Sequence, residues 1–229
     1  MKLEICSNSY QSAKNAQEAG AHRIELCQEL SVGGITPNYG LLKQVTDSLS
    51  IPVFVLIRPR RGSFLYSDEE FDIMKRDIQL CKNLGCAGIV SGVLNDDNAI
   101  DFKRTKELVE LSRPLAFTFH RAFDCVLNPF EALEQLIDLD VDRVLTSGQA
   151  SSAESGLELL KQLNEQTKGR ISILPGSGIN SQNAQLFKKA GFSEIHTSAS
   201  SKIDSDGSLF SEPLTYSDTK KIKAILDAI

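Results

Sequence analysis

The chain has 229 residues, of which 41% are hydrophobic and 24% charged, enough apolar material for a sizeable core in one barrel-sized domain. Its net charge of −5 excludes a general nucleic-acid or anionic-membrane surface, while individual arginines remain available to a small anion. The longest apolar strand-like run, at 53–57, is far too short to cross a bilayer, and the Met1-Lys2-Leu3-Glu4 start is expected to carry no signal peptide.

Strand and helix patterns alternate along the chain. Strands are predicted near 3–6, 23–27, 53–57, 87–90, 115–120, 143–146, 171–175 and 194–198, mostly rich in Ile, Val, Leu and Phe, as parallel strands buried on both faces should be. Between them, Ser67-Asp68-Glu69-Glu70 forms a capping-box pattern before Phe71, Met74, Ile78 and Cys81, which share one helical stripe. Thr36-Pro37 and Asn128-Pro129 each place a cap residue before a proline at the first helical position. Gly20, Gly85 and Gly191 stand where three helices should stop. Eight such units predict a TIM-type (β/α)8 barrel, one parallel eight-stranded domain over 1–229, with a doubly wound open sheet as the alternative. The Ser-rich stretch at about 198–213 reads as a long loop before the C-terminal helix.

Side chains on a strand alternate between faces, so Glu4 shares a face with Cys6, and Glu25 with Cys27. A carboxylate in an apolar strand is costly to bury without a partner. The repeated Glu-x-Cys pattern therefore predicts a polar barrel interior, although buried cysteine is by itself an ordinary core residue. Leu3, Ile5, Ile24 and Leu26 are then expected to face the helices. Catalytic groups of such barrels gather at the carboxyl ends of the strands. Arg58, on the face of Phe54 and Leu56, is expected to neutralise the Glu4/Glu25 pair, with His120 joining from across the barrel. That set can perform general acid–base chemistry or form a buried ionic network. His196 reads as a hydrogen-bonded core residue.

Gly176, Ser177, Gly178 and Ser198 lie where many barrels bind phosphate through backbone N–H groups ahead of a helix, here capped by Asn180 or Ser181; an ordinary tight turn is the alternative. Cys6 and Cys27 on adjacent strands can both reach one soft ion, since thiolates select Cu(I) or Zn(II). Neighbouring strands contribute to different interior layers, which staggers the two sulfurs. Two thiolates alone make a poor zinc site, and no organic cofactor is expected. The odd number of cysteines, five, predicts free thiols in a reducing cytoplasm, with Cys81 and Cys86 as packing residues.

Several runs resemble the CutC copper homeostasis family: Arg23-Ile24-Glu25-Leu26-Cys27, Gly33-Gly34-Ile35-Thr36-Pro37, Ile57-Arg58-Pro59-Arg60, Phe64-Leu65-Tyr66-Ser67-Asp68, Thr118-Phe119-His120-Arg121-Ala122-Phe123-Asp124 and Leu145-Thr146-Ser147-Gly148. They occur in order within a likeness that runs from Leu3 to about Ala199. The resemblance implies a cytoplasmic, often oligomeric TIM-type barrel that handles copper, with Cu(I) on Cys27 and Cys6. Three departures stand out: Arg61-Gly62-Ser63 in place of Gly-Gly-Asp, Ser177 in place of a glycine, and Ser200 in place of a basic residue. The bottom-up alternative is a lyase, isomerase or hydrolase acting on a small anionic, even phosphorylated, substrate through Glu4, Glu25, Arg58 and His120.

Overall fold

The predicted alternation is realised as eight parallel strands with helices between them. A computed structural model describes residues 1–203 and 214–229. The strands are β1 (Lys2–Ser7), β2 (Arg23–Leu26), β3 (Val53–Leu56), β4 (Gly88–Ser91), β5 (Ala116–Phe119), β6 (Arg143–Thr146), β7 (Ser172–Pro175) and β8 (Glu194–Thr197). They pair in the order β7-β6-β5-β4-β3-β2-β1-β8, and a parallel bridge between Gly176 and His196 brings the two ends together. This is a TIM-type barrel. The helices among the described residues are α1 (Tyr10–Ala19), α2 (Tyr39–Ser48), α3 (Asp68–Asn83), α4 (Phe102–Ser112), α5 (Pro129–Asp138), α6 (Leu157–Thr167), α7 (Ala184–Lys189) and α8 (Thr219–Asp227).

Local chemistry accounts for the boundaries. Ser67 accepts from the Glu70 N–H while the Glu70 carboxylate accepts from the Ser67 N–H, so both halves of the α3 capping box form. Asn128 caps α5 ahead of Pro129, as expected. The start of α2 differs: Asn38, not Thr36, accepts from Leu41 N–H, and Thr36 Oγ1 instead accepts from the Arg58 N–H. Gly20 ends α1 at φ 90°, a left-handed conformation that costs glycine no steric penalty.

Alternation divides the interior into two layers. Leu3, Ile5, Ile24, Leu26, Val53 and Val55 pack between strands and helices, while Cys6, Cys27, Phe54, Leu56 and Val90 cluster inside the barrel. The facing assignment of the Glu-x-Cys strands therefore holds. The expected loop at 198–213 begins with a strand: β9 (Ser200–Ile203) pairs antiparallel with β10 (Leu214–Ser217), and 204–213 lies outside the described residues. The pair is tied to the N-terminal βα unit by Asn8, Asn15 and Ser12, which hydrogen-bond Thr215 and Ser217.

Candidate functional site

Register decides which inward groups meet. β1 and β2 pair Glu4 with Arg23 and Cys6 with Glu25; β1 and β8 pair Glu4 with His196. Arg23 donates through Nε to Glu4 and through Nη1 to Glu194, and Glu194 also accepts from Arg143 Nε at 3.2 Å. The guanidinium carbons of Arg23 and Arg143 lie 5.2 and 5.0 Å from the centre of the Phe54 ring. Gly88 opposite Phe54 makes room for that ring, because a Cβ there would come within 2.2 Å of it.

His196 joins this floor to the layer above. Its Nδ1 lies 2.7 Å from Glu4 Oε1 and its Nε2 lies 3.5 Å from Glu25 Oε2. Burial would raise the Glu4 carboxyl, but the Arg23 charge and the His196 hydrogen bond outweigh it and hold the group at about 2. Glu25 goes the other way: burial and the nearby Glu4 carboxylate raise it against the pull of His196. Burial opposes the charged form of His196, yet its bond to Glu4 and the charges of Glu25 and Glu4 raise it overall.

Cys6 Sγ and Cys27 Sγ lie 3.5 Å apart. The expected stagger is present, since Cys6 is level with Glu25, but the side chains still converge. Sulfur, carboxylate and imidazole atoms of Cys6, Glu25 and His196 also lie within 4.8 Å of one another. The Cys27 neighbour, burial and the Glu25 carboxylate push the Cys6 thiol well up.

Arg58 does not pair with the glutamates. Glu25 is level with Phe54, and Arg58 lies four residues further on, beyond the end of β3 and roughly 13 Å up the strand direction for an extended chain. Its Nη1 donates to the carbonyls of Val32 and Gly34 and its Nη2 to that of Gly62, so it binds loops instead. His120 is near Arg58, not near the glutamates. Its Nδ1 accepts from Ala122 N–H at 3.3 Å, and burial followed by the Arg58 charge pushes it down to about 3. The counter-charge expected of Arg58 is supplied by Arg23, which shares the inward face of Glu25 and Cys27.

Above these groups opens a cavity of about 890 Å³, lined at its base by Cys6, Glu25 and His196 and at its mouth by Arg58, His120, Arg121 and Lys221. Ser177, Gly178 and Ser198 line it as well. Gly176 is different: its N–H donates to Thr146 O. The predicted helix cap is also displaced, because α7 begins at Ala184 with Asn183 before it, leaving 179–183 between the glycine turn and the helix. Asp124 fixes the mouth, accepting from Thr146 Oγ1, the Ser147 and Gln149 N–H groups and Arg121 Nε.

The CutC family model matches residues 1–201. The chain belongs to the CutC family. A human relative named copper homeostasis protein cutC homolog is 52% identical over 204 residues, covering 89% of this chain and 75% of that protein. A CutC family protein of Proteus mirabilis is 50% identical over 204 residues, covering 89% and 81%. The crystal structure of a copper homeostasis protein CutC from Streptococcus agalactiae superposes with a TM-score of 0.82 at 32% identity, covering 86% of this chain and 98% of that one. The family resemblance and the barrel expected from the sequence are therefore both borne out.

Proposed function

We propose that this copper homeostasis family barrel takes up Cu(I) at the base of its cavity, on the thiolates of Cys6 and Cys27. The observation that carries the reading is the 3.5 Å separation of two inward-facing sulfurs beside an open cavity. The donor set fits a soft ion: thiolates select Cu(I) and Zn(II) over hard cations, and His196 and Glu25 stand close enough to complete or orient the site. Those extra donors also make Zn(II) a better competitor than two thiolates alone would. All five cysteines are free, which suits a reducing cytoplasm.

Anaerobic Cu(I) titration against a chromophoric competitor should reveal one site per chain, abolished in Cys27→Ser and weakened about 10–100-fold in Glu25→Gln. Uptake should weaken as pH falls, because a raised Cys6 thiol must lose its proton to bind. Unaltered affinity in the Cys6→Ser/Cys27→Ser double variant would remove the reading. A second reading, catalysis on a small molecule, is supported by the opposed shifts of Glu25, which lines the cavity base, and of Glu4, which His196 links to it, the pattern of an acid–base pair. Copper uptake that survives His120→Ala, with no turnover of any small anion, would set that second reading aside.

A further inference from the structure

A buried guanidinium without a counter-ion borders the cavity. Arg58 is 6% exposed, its bonds go to the neutral carbonyls of Val32, Gly34 and Gly62, and it forms no ion pair among the described residues. Carbonyls satisfy its N–H groups but leave the net charge standing, and buried charges are ordinarily paired. Its Nε has no partner among the described residues.

His120 stands on the same level. Register places Leu56, Val90 and Thr118 side by side, so the next inward positions are Arg58, Gly92 and His120. Gly92 yields its space to the imidazole: a Cβ there would lie 2.7 Å from His120 Nδ1. The Phe64 ring serves both neighbours, 5.0 Å from the Arg58 guanidinium carbon and 4.8 Å from the His120 ring centre. Because His120 Nδ1 accepts the Ala122 N–H, a neutral ring carries its proton on Nε2, which has no acceptor among the described residues. Two cavity-lining side chains, each more than nine-tenths buried and each with an unpartnered N–H enclosed behind the wall, thus stand together without an anionic partner among the described residues.

The rest of the cavity has the matching character. Its charged lining comprises Arg58, Arg121 and Lys221 against Glu25 and Asp124, a positive balance in a chain of net charge −5. Leu30, Leu56, Leu145 and Ile179 supply apolar wall. A volume of about 890 Å³ is that of a small-molecule site and far exceeds one ion. We propose that the cavity binds a small organic anion, a carboxylate or phosphate on an apolar body, with its charge balanced by Arg58 and its anionic end lying beside His120. The site rests on the cavity and not on the copper reading.

Titration of the full chain with benzoate and with phenyl phosphate, followed by the imidazole NMR signals, tests this. The chain has three histidines, and His22 lies at the opposite end of the barrel, bonded to the Leu3 N–H, as an internal control. Either probe should move the His120 signals in a saturable way and leave His22 in place, while uncharged benzyl alcohol should not. The better of the two probes assigns carboxylate or phosphate. Arg58→Gln should weaken binding about 10–100-fold, the loss of one charge-assisted contact. Should Arg58→Gln fail to fold, Leu30→Trp, which fills the cavity from its wall, should abolish the response. No His120 response to either probe, an equal response to benzyl alcohol, or wild-type affinity in a folded Arg58→Gln protein would overturn the proposal.

Discussion

Arg23 and Arg58 are both buried, both inward-facing and about equally shielded, at 5% and 6% exposure, yet their surroundings are opposites. Arg23 is gripped by Glu4 and Glu194 at the barrel floor; Arg58 at the mouth donates its hydrogen bonds only to carbonyls. Where a charge is matched inside the fold, its role is complete without a ligand, and its loss should be read in stability. An unmatched one holds loops in place and retains field to offer a guest. The largest expected effect follows from that difference. Arg23→Met removes the cation shared by two buried carboxylates, leaving Glu4 to His196 and Glu194 to Arg143, and should cost about 3–5 kcal/mol in urea unfolding. Arg58→Met loses three carbonyl contacts but removes an unpaired charge, and should cost about 1–3 kcal/mol. Equal losses in the two variants would erase the distinction between floor and mouth.

Acid titration sharpens the same contrast, with the two ends failing in different windows. Glu4 is held at about 2 against an ordinary 4.5, so its folded-state advantage is complete above about pH 4.5 and is lost as pH falls towards 2. That shift corresponds to on the order of 3 kcal/mol. His120 is buried neutral, held at about 3 against an ordinary 6.5. The unfolded chain takes up this proton first, so stability contributed by the mouth is lost from pH 6.5 downwards. His196 and Glu25 oppose both trends: their raised values contribute stability at low pH that fades as pH rises through them. Replacing His120 with Gln should flatten the pH 6.5–4.5 limb of an unfolding free-energy profile and leave the steeper fall below pH 4.5 to Glu4. A profile unchanged between pH 6.5 and 4.5 would mean that His120 is not held neutral.

These contrasts were only half legible in the sequence. Period-two alternation was sufficient to turn Glu4, Cys6, Glu25 and Cys27 inward, and eight βα patterns were sufficient for the barrel. Alternation also carries Arg23, two residues before Glu25, to that face, a signal passed over in favour of Arg58 because alternation carries no information on level. Which inward residue meets which depends on register, and register put Arg58 four residues beyond the level of Glu25. His196 was hidden for a related reason. Its hydrogen-bond partner Glu4 lies 192 residues away across the seam where β8 meets β1, and no local pattern reports a seam. The α7 start was misplaced because Asn180 and Ser181 read as caps; Asn183 Oδ1 accepts from Asn180 N–H inside the intervening turn, and the helix begins after it.

The smallest expected effect compares two phenylalanines. Phe54 on the floor lies between Arg23 and Arg143, and Phe64 at the mouth lies beside Arg58 and His120. Phe54 offers a negative ring face to two guanidinium groups and Phe64 to that of Arg58 alone, an interaction of about 0.5–1 kcal/mol at exposed positions and about 2 kcal/mol when desolvated. Phe54 is 5% exposed and fills the space that Gly88 leaves open, so Phe54→Leu removes both cation contacts and close packing. Phe64 borders a cavity, where lost atoms leave little new void. Phe64→Leu should therefore lower stability by no more than about 1 kcal/mol, a fall in Tm of roughly 2–4 °C for a domain of this size. Phe54→Leu should fall further. The mouth variant should nevertheless change the response of His120 to benzoate or phenyl phosphate, because its ring sets the position of Arg58 and His120. A larger stability loss in Phe64→Leu than in Phe54→Leu would make the mouth, not the floor, the structural anchor of the barrel.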